Sequence, residues 1–105
     1  MMRSVNDSAN LSPVVDAPGR RRLKVTVKLF ASLGQYLPSG AYRNQIEMEF
    51  PEGTTPADVV ERLNVPRDLA HLVILNGVFL PPSERATRVL VEREELAIFP
   101  PVAGG

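Results

Sequence analysis

The sequence contains no cysteine. That excludes a disulfide scaffold, a thiolate metal site and a cysteine nucleophile, and it means that sulfur cannot ride on a side-chain persulfide. Histidine is nearly absent as well. His71 stands alone, so no transition-metal site of the usual kind can be assembled around it, and it reads as a surface or loop residue. Charge of one sign is not in excess: 12 Lys and Arg balance 12 Asp and Glu, whereas a nucleic-acid-binding face needs a basic surplus. No apolar run approaches the ~20 residues that cross a bilayer, and no apolar h-region marks an export signal at the N-terminus. These absences predict a cytosolic protein whose partners are neither nucleic acid nor membrane. Gly-rich phosphate loops and nucleophile elbows are also missing. Asp58 and Glu61 are spaced by three, but Asp58 suits a helix start better than acid–base work. No catalytic residues and no metal ligands are assigned.

What is present is one domain of modest size. Residues 1–22 read as a disordered N-terminal extension, rich in Asn, Ser, Asp, Pro and Gly, with no sustained hydrophobic period. Asp7 and Asp16 argue against a transit peptide, and Arg20-Arg21-Arg22 closes the segment. Residues 23–105 form the folded domain, including a flexible tail at 100–105. Period-two alternation predicts a strand from Leu23 to Phe30, with Leu23, Val25, Val27 and Leu29 on one face and Lys24, Thr26 and Lys28 on the other. Lys24 and Lys28 are the only lysines and make a solvated face or a basic docking stripe. Ala31 to Leu37 predicts a short helical turn. Asn44 to Phe50 predicts a second strand, with Ile46, Met48 and Phe50 inward, joined to the first as a hairpin.

Thr55 is placed to cap a helix, with Pro56 at its first position and Asp58 near its positive end. Val59, Val60 and Leu63 would be its apolar face, and Pro66 disfavours helical geometry at Val65. Leu72 to Leu75 is continuously apolar, as in a strand buried on both sides. Asn76-Gly77 is a strong hairpin signal, with Val78-Phe79-Leu80 returning. Arg88 to Val91 is assigned a short edge segment, Glu92-Arg93-Glu94-Glu95 a charged turn, and Leu96 to Phe99 the last strand. A hairpin followed by a crossover helix gives an α+β fold, a mixed sheet grasping one main helix. This is the ubiquitin-like β-grasp, from which the C-terminal tail protrudes.

The sequence ends on Phe99-Pro100-Pro101-Val102-Ala103-Gly104-Gly105. A strand runs into a stiff proline pair and then into two residues without a Cβ. Such a tip fits a narrow active site of another protein, and chance gives two final glycines in roughly one chain in 200. The Gly105 carboxylate is inert towards nucleophiles until activated, for example as an acyl-adenylate. It can then accept sulfur or an amine. If Leu96 and Ile98 face the helix, Ala97 and Phe99 face the other side. An apolar patch there would mark a partner site, the plainer alternative being that Phe99 packs on a neighbouring loop.

From Leu23 to Gly105 the chain resembles the MoaD/ThiS family of sulfur carriers, most of all its branch of molybdopterin synthase small subunits. The resemblance rests on Val25-Thr26-Val27-Lys28-Leu29-Phe30-Ala31, Pro51-Glu52-Gly53-Thr54-Thr55, Leu75-Asn76-Gly77 and above all the final seven residues. It implies that an E1-like adenylyltransferase activates Gly105 with ATP and that no cofactor is bound. It further implies that a sulfur donor such as a cysteine desulfurase or rhodanese supplies the sulfur. The resulting thiocarboxylate would serve the large subunit of molybdopterin synthase in a heterotetramer. Gly104 and Gly105 carry over as the threaded tip, and Phe99, Pro100, Pro101, Val102 and Ala103 as partner contacts. Glu92-Arg93-Glu94-Glu95 replaces the family's usual Gly-Asp turn, a change expected to alter the loop rather than the tail chemistry. Carriers for thiamine or tRNA thiolation, a protein modifier conjugated to lysines, and a plain interaction module remain the alternatives.

Overall fold

The computed structural model describes residues 21–102. The predicted extension lies outside the described residues apart from Arg21 and Arg22, and so do Ala103, Gly104 and Gly105 of the tail. The elements are β1 (Arg22–Leu29), β2 (Gln45–Pro51), α1 (Pro56–Arg62), β3 (Leu72–Leu75), β4 (Val78–Phe79) and β5 (Glu95–Phe99), with 3-10 turns at Ala31–Tyr36, Arg67–Leu69 and Pro82–Glu84. One five-stranded sheet has the order β2-β1-β5-β3-β4. β1 and β2 form the expected antiparallel hairpin, with Val25 opposite Met48. β5 lies parallel to β1, Val27 opposite Leu96, and antiparallel to β3, Ile98 opposite Val73. A mixed sheet holding one helix is the β-grasp arrangement.

Alternation along β1 sets the two faces. Leu23, Val25, Val27 and Leu29 are buried, and they join Phe50, Val59, Val60, Val73, Leu96 and Ile98 in one core cluster. Each such side chain removed from water contributes about 1.5–3 kcal/mol. Seven residues are too few for a helix to stand alone, so α1 depends on that packing and on its ends. Its N-terminus carries a capping box: Asp58 N–H donates to Thr55 Oγ1 at 3.2 Å, and Thr55 N–H donates to Asp58 Oδ2 at 2.9 Å. Its C-terminus closes before Pro66 acts. Asn64 takes a left-handed φ of 62°, Asn64 N–H donates to the Glu61 carbonyl, and Val65 N–H donates to the Val60 carbonyl. Those paired bonds are the Schellman closure.

Two expectations are corrected. Leu72–Leu75 is not buried on both faces. Only Val73 and Leu75 are buried, while Leu72 and Ile74 are half-buried, because no described helix covers the second face. Arg88 to Val91 forms no strand among the described residues. Its Leu90 N–H instead reaches the Thr54 carbonyl at 2.9 Å, which lets Leu90 enter the core. The expected charged turn forms at Glu92 and Arg93, and it is only partly solvated. Arg93 adopts a left-handed φ of 69°, a conformation glycine reaches at lower cost, whereas Glu94 is 6% exposed.

Glu94 ties down the start of β5. Its carboxylate accepts from Arg88 Nη2 at 2.6 Å, from Asn76 Nδ2 at 2.9 Å and from Val91 N–H at 2.8 Å. Asn76 Oδ1 in turn accepts the Glu95 N–H at 2.9 Å. Burial opposes the charged carboxylate, yet the bonds from Arg88, Val91 and Asn76 outweigh it and hold the Glu94 carboxyl below its ordinary range. A depressed folded value means that the stabilisation is complete above the unfolded pKa and is lost as pH falls through the folded one. Glu94→Ala should therefore cost about 2 kcal/mol at neutral pH and lose part of the wild-type decline in acid. Urea unfolding of both proteins from neutral to acid pH tests this, and parallel pH profiles would refute it.

Candidate functional site

The tail leaves from the middle of the sheet. β5 is bonded on both sides almost to its end: Phe30 N–H donates to the Ile98 carbonyl on the β1 side and His71 N–H to the Phe99 carbonyl on the β3 side, both at 3.1 Å. The Phe30 and Phe99 rings stack with centroids 4.3 Å apart and planes 1° from parallel. Phe99 is thus half-buried against the residue that follows β1. Beyond it, Pro100 is half-buried and Pro101 is exposed, and Val102 is 80% exposed. Proline cannot donate to a ladder, so strand pairing ends at Phe99 and the chain is released there. Ala103, Gly104 and Gly105 lie outside the described residues.

The sheet face opposite the helix is divided by charge. Strand register places Phe30, Phe99, Ala97, Leu72, Ile74 and Phe79 towards β5, β3 and β4. All are half-buried except Phe79, which is 54% exposed. On the β1–β2 side the same face carries charge. Lys28 Nζ meets Glu95 Oε2 at 2.7 Å, and Arg22 Nε meets Glu49 Oε1 at 3.3 Å. The two lysines therefore do not form a uniform basic stripe, since an acidic partner sits beside Lys28. The apolar half is continuous with Phe99, the last residue of β5.

Other candidates are absorbed by structure. Asp58 is committed to the helix cap, and Glu61 is exposed on α1, so they form no acid–base pair. Among the described residues no cluster of His, Cys, Asp or Glu is arranged to hold a metal ion. His71 has an exposed side chain, but its backbone closes the β3–β5 ladder. Sequence reasoning assigned Phe99 to a partner and gave Phe30 no role of its own. Their stack needs the parallel register of β1 and β5, and the only local hint was that Phe30 continues the outward face of Lys24, Thr26 and Lys28. On the helix side a cleft of about 770 Å³ opens between α1 and the turns at 67–69 and 82–84, with Val60, Val65, Ala70 and Arg85 in its lining.

Comparison with known proteins agrees with this geometry. A family model described as the ThiS family matches residues 27–105. No protein with a curated description matches the chain. Among solved structures, the HVO 2177 protein of Haloferax volcanii is similar at 20% identity and a TM-score of 0.66, over 92% of this chain and 100% of its own. Molybdopterin converting factor subunit 1 of Pyrococcus furiosus is 23% identical, with a TM-score of 0.53, over 76% of this chain and 99% of its own. Small archaeal modifier protein 1 of Methanosarcina acetivorans is 22% identical, with a TM-score of 0.54, over 81% of this chain and 99% of its own. At these identities the structural likeness establishes the fold.

The stacked rings give a direct test of the tail root. A double-mutant cycle of Phe30→Ala and Phe99→Ala should return a coupling of about 0.5–1.5 kcal/mol in denaturant unfolding. A coupling near zero would mean that the rings merely share a surface.

Proposed function

The chain belongs to the ThiS family of small ubiquitin-like proteins, and on that premise we propose that it is a sulfur carrier acting at Gly105. An activating enzyme of the E1-like adenylyltransferase class brings ATP. A carboxylate oxygen of Gly105 attacks the α-phosphorus, and pyrophosphate leaves. The outer sulfur of a cysteine persulfide on a desulfurase or rhodanese then adds to the acyl carbon, AMP departs with its bonding electrons, and a thiol reductant cleaves the S–S bond of the resulting acyl disulfide, leaving as a disulfide with the donor cysteine. The product is a C-terminal thiocarboxylate. In the fullest form of the proposal, the large subunit of molybdopterin synthase consumes it, and this chain is the small subunit, which lacks catalytic residues of its own.

The observation that carries the reading is the tail root. A carrier must present a thin, mobile tip from a body that does not yield, and here the last two residues of β5 are held by a backbone bond each, to the Ile98 and Phe99 carbonyls, and Phe99 by a ring stack as well. Pro100 and Pro101 then limit the entropy lost when the tail is ordered in a partner. Gly104 and Gly105 put no Cβ beside the reacting carbon. Phe99, Pro100, Pro101, Val102 and Ala103 are the proposed contacts of the partner channel, and the apolar half of the helix-free face is the proposed docking surface.

Intact-mass analysis of the protein from its native host, with and without sulfur starvation, tests the carrier reading. The expected species is heavier by the exchange of one oxygen for sulfur at Gly105. Only free carboxylate after incubation with the cognate activating enzyme, ATP and a sulfide source would overturn it, and a ladder of isopeptide conjugates in cells would turn it towards protein modification. Deleting Gly104 and Gly105 should abolish charging while leaving the unfolding midpoint unchanged. Phe79→Glu should weaken binding to the large subunit by about tenfold or more without loss of fold, as measured by calorimetry.

A further inference from the structure

We propose that Arg85, far from the tail in sequence, is a positioning residue for it: its guanidinium fixes the joint before β3 and thereby the last ladder bond of β5. The inference about activation rests on the carrier reading above, whereas the structural part does not. Arg85 follows the turn at 82–84 on the helix side of the molecule. Its carbonyl accepts the Ala57 N–H at 2.9 Å, in the first turn of α1. Its Nη1 donates to the Ala70 carbonyl and its Nη2 to the His71 carbonyl, each at 2.8 Å. The next residue contact is the tail root itself, because the His71 N–H donates to the Phe99 carbonyl.

The chemistry of this contact points to geometry rather than to stability. A planar guanidinium fork can address two successive carbonyls at once, which an ammonium cannot do with fixed direction. The same group is a weak stabiliser where it sits. It is partly withdrawn from water, it faces carbonyl dipoles rather than a carboxylate, and its buried Nε finds no partner among the described residues. A buried polar group left unpaired costs free energy, and an apolar side chain of similar volume is often no worse for stability. What the fork supplies is a fixed pair of peptide planes at Ala70 and His71, where the chain turns from the 67–69 turn into β3. Fixing the His71 peptide keeps its N–H on the Phe99 carbonyl, and with it the direction in which Pro100 leaves the sheet. Without the fork, water satisfies the two carbonyls, the joint moves, and the final ladder bond opens more often. A less directed tail must lose more freedom on entering the activating enzyme, which raises KM and leaves kcat, set by chemistry on Gly105, in place.

The test compares wild type, Arg85→Met and Arg85→Lys. Native-state hydrogen exchange should show the His71 amide losing about tenfold or more of its protection in both variants, while the Val25 and Val27 amides of β1 stay as they are. Charging by the cognate activating enzyme with ATP and sulfide should show KM raised severalfold with kcat unchanged, and lysine should not rescue it. Unchanged His71 exchange, or a loss shared equally by β1, would overturn the proposal, the second outcome marking Arg85 as a general stabiliser. Rescue by lysine would overturn the role of the fork. If wild-type protein is not charged at all, the carrier reading fails separately, and the exchange data still decide whether Arg85 holds the tail root.

Discussion

The structure depends on β5 being the middle strand. It enters the sheet last in sequence, yet it lies between β1 and β3 and bonds to both. Its Leu96 and Ile98 are fully buried, so its place is held by hydrophobic burial on one face and by two ladders at its edges. A parallel neighbour such as β1 cannot be reached by a tight turn. The long path through β2, α1, β3 and β4 is the connection that makes the parallel pairing possible, and β2, α1 and β3 contribute side chains to the core that β5 completes. A central last strand also means that the chain leaves the fold from its most constrained segment rather than from a fraying edge.

That constraint sets the character of the tail. Bonds run to Ile98 on the β1 side and to Phe99 on the β3 side, and the prolines that follow have no N–H to donate to either neighbour. Paired strand and exposed chain are thus separated within two residues, from Phe99 to Pro101. Around this point the helix-free face is apolar, and away from it the same face is laced with ion pairs at Lys28 and Arg22. Exposed pairs of this sort add little stability. On the proposed docking surface their value would be specificity, because a partner covering the apolar half would also have to accept the charge pattern beside it.

The loop before β5 shows how a local departure can be accommodated. Where the family resemblance leads one to expect glycine, Arg93 takes the left-handed conformation itself, which is a cost for a residue with a Cβ. Glu94 offsets it by gathering Arg88, Asn76 and the Val91 N–H onto one buried carboxylate. Asn76 belongs to the β3–β4 turn, so the network joins two segments that the sequence keeps 18 residues apart. Reading Glu92 to Glu95 as a charged turn did not reveal this, because a run of charges carries no sign of its partners.

Local patterning was enough to determine the strands of the hairpin, the capped start of α1 and the Asn76-Gly77 turn, because alternation, capping and turn chemistry act over a few residues. It was also enough to mark the Pro-Pro and Gly-Gly ending as unusual, since the effects of those residues on backbone freedom need no context. Where Leu72 and Ile74 lie half-covered, where Leu90 enters the core and how Phe30 meets Phe99 were decided by tertiary structure alone. Each depends on which strands become neighbours and in what register, and that outcome is set by burial and long-range pairing between segments whose separate sequences carry no record of one another. The same holds for Arg85: nothing near it in the chain indicates that its guanidinium reaches the joint that holds the last strand.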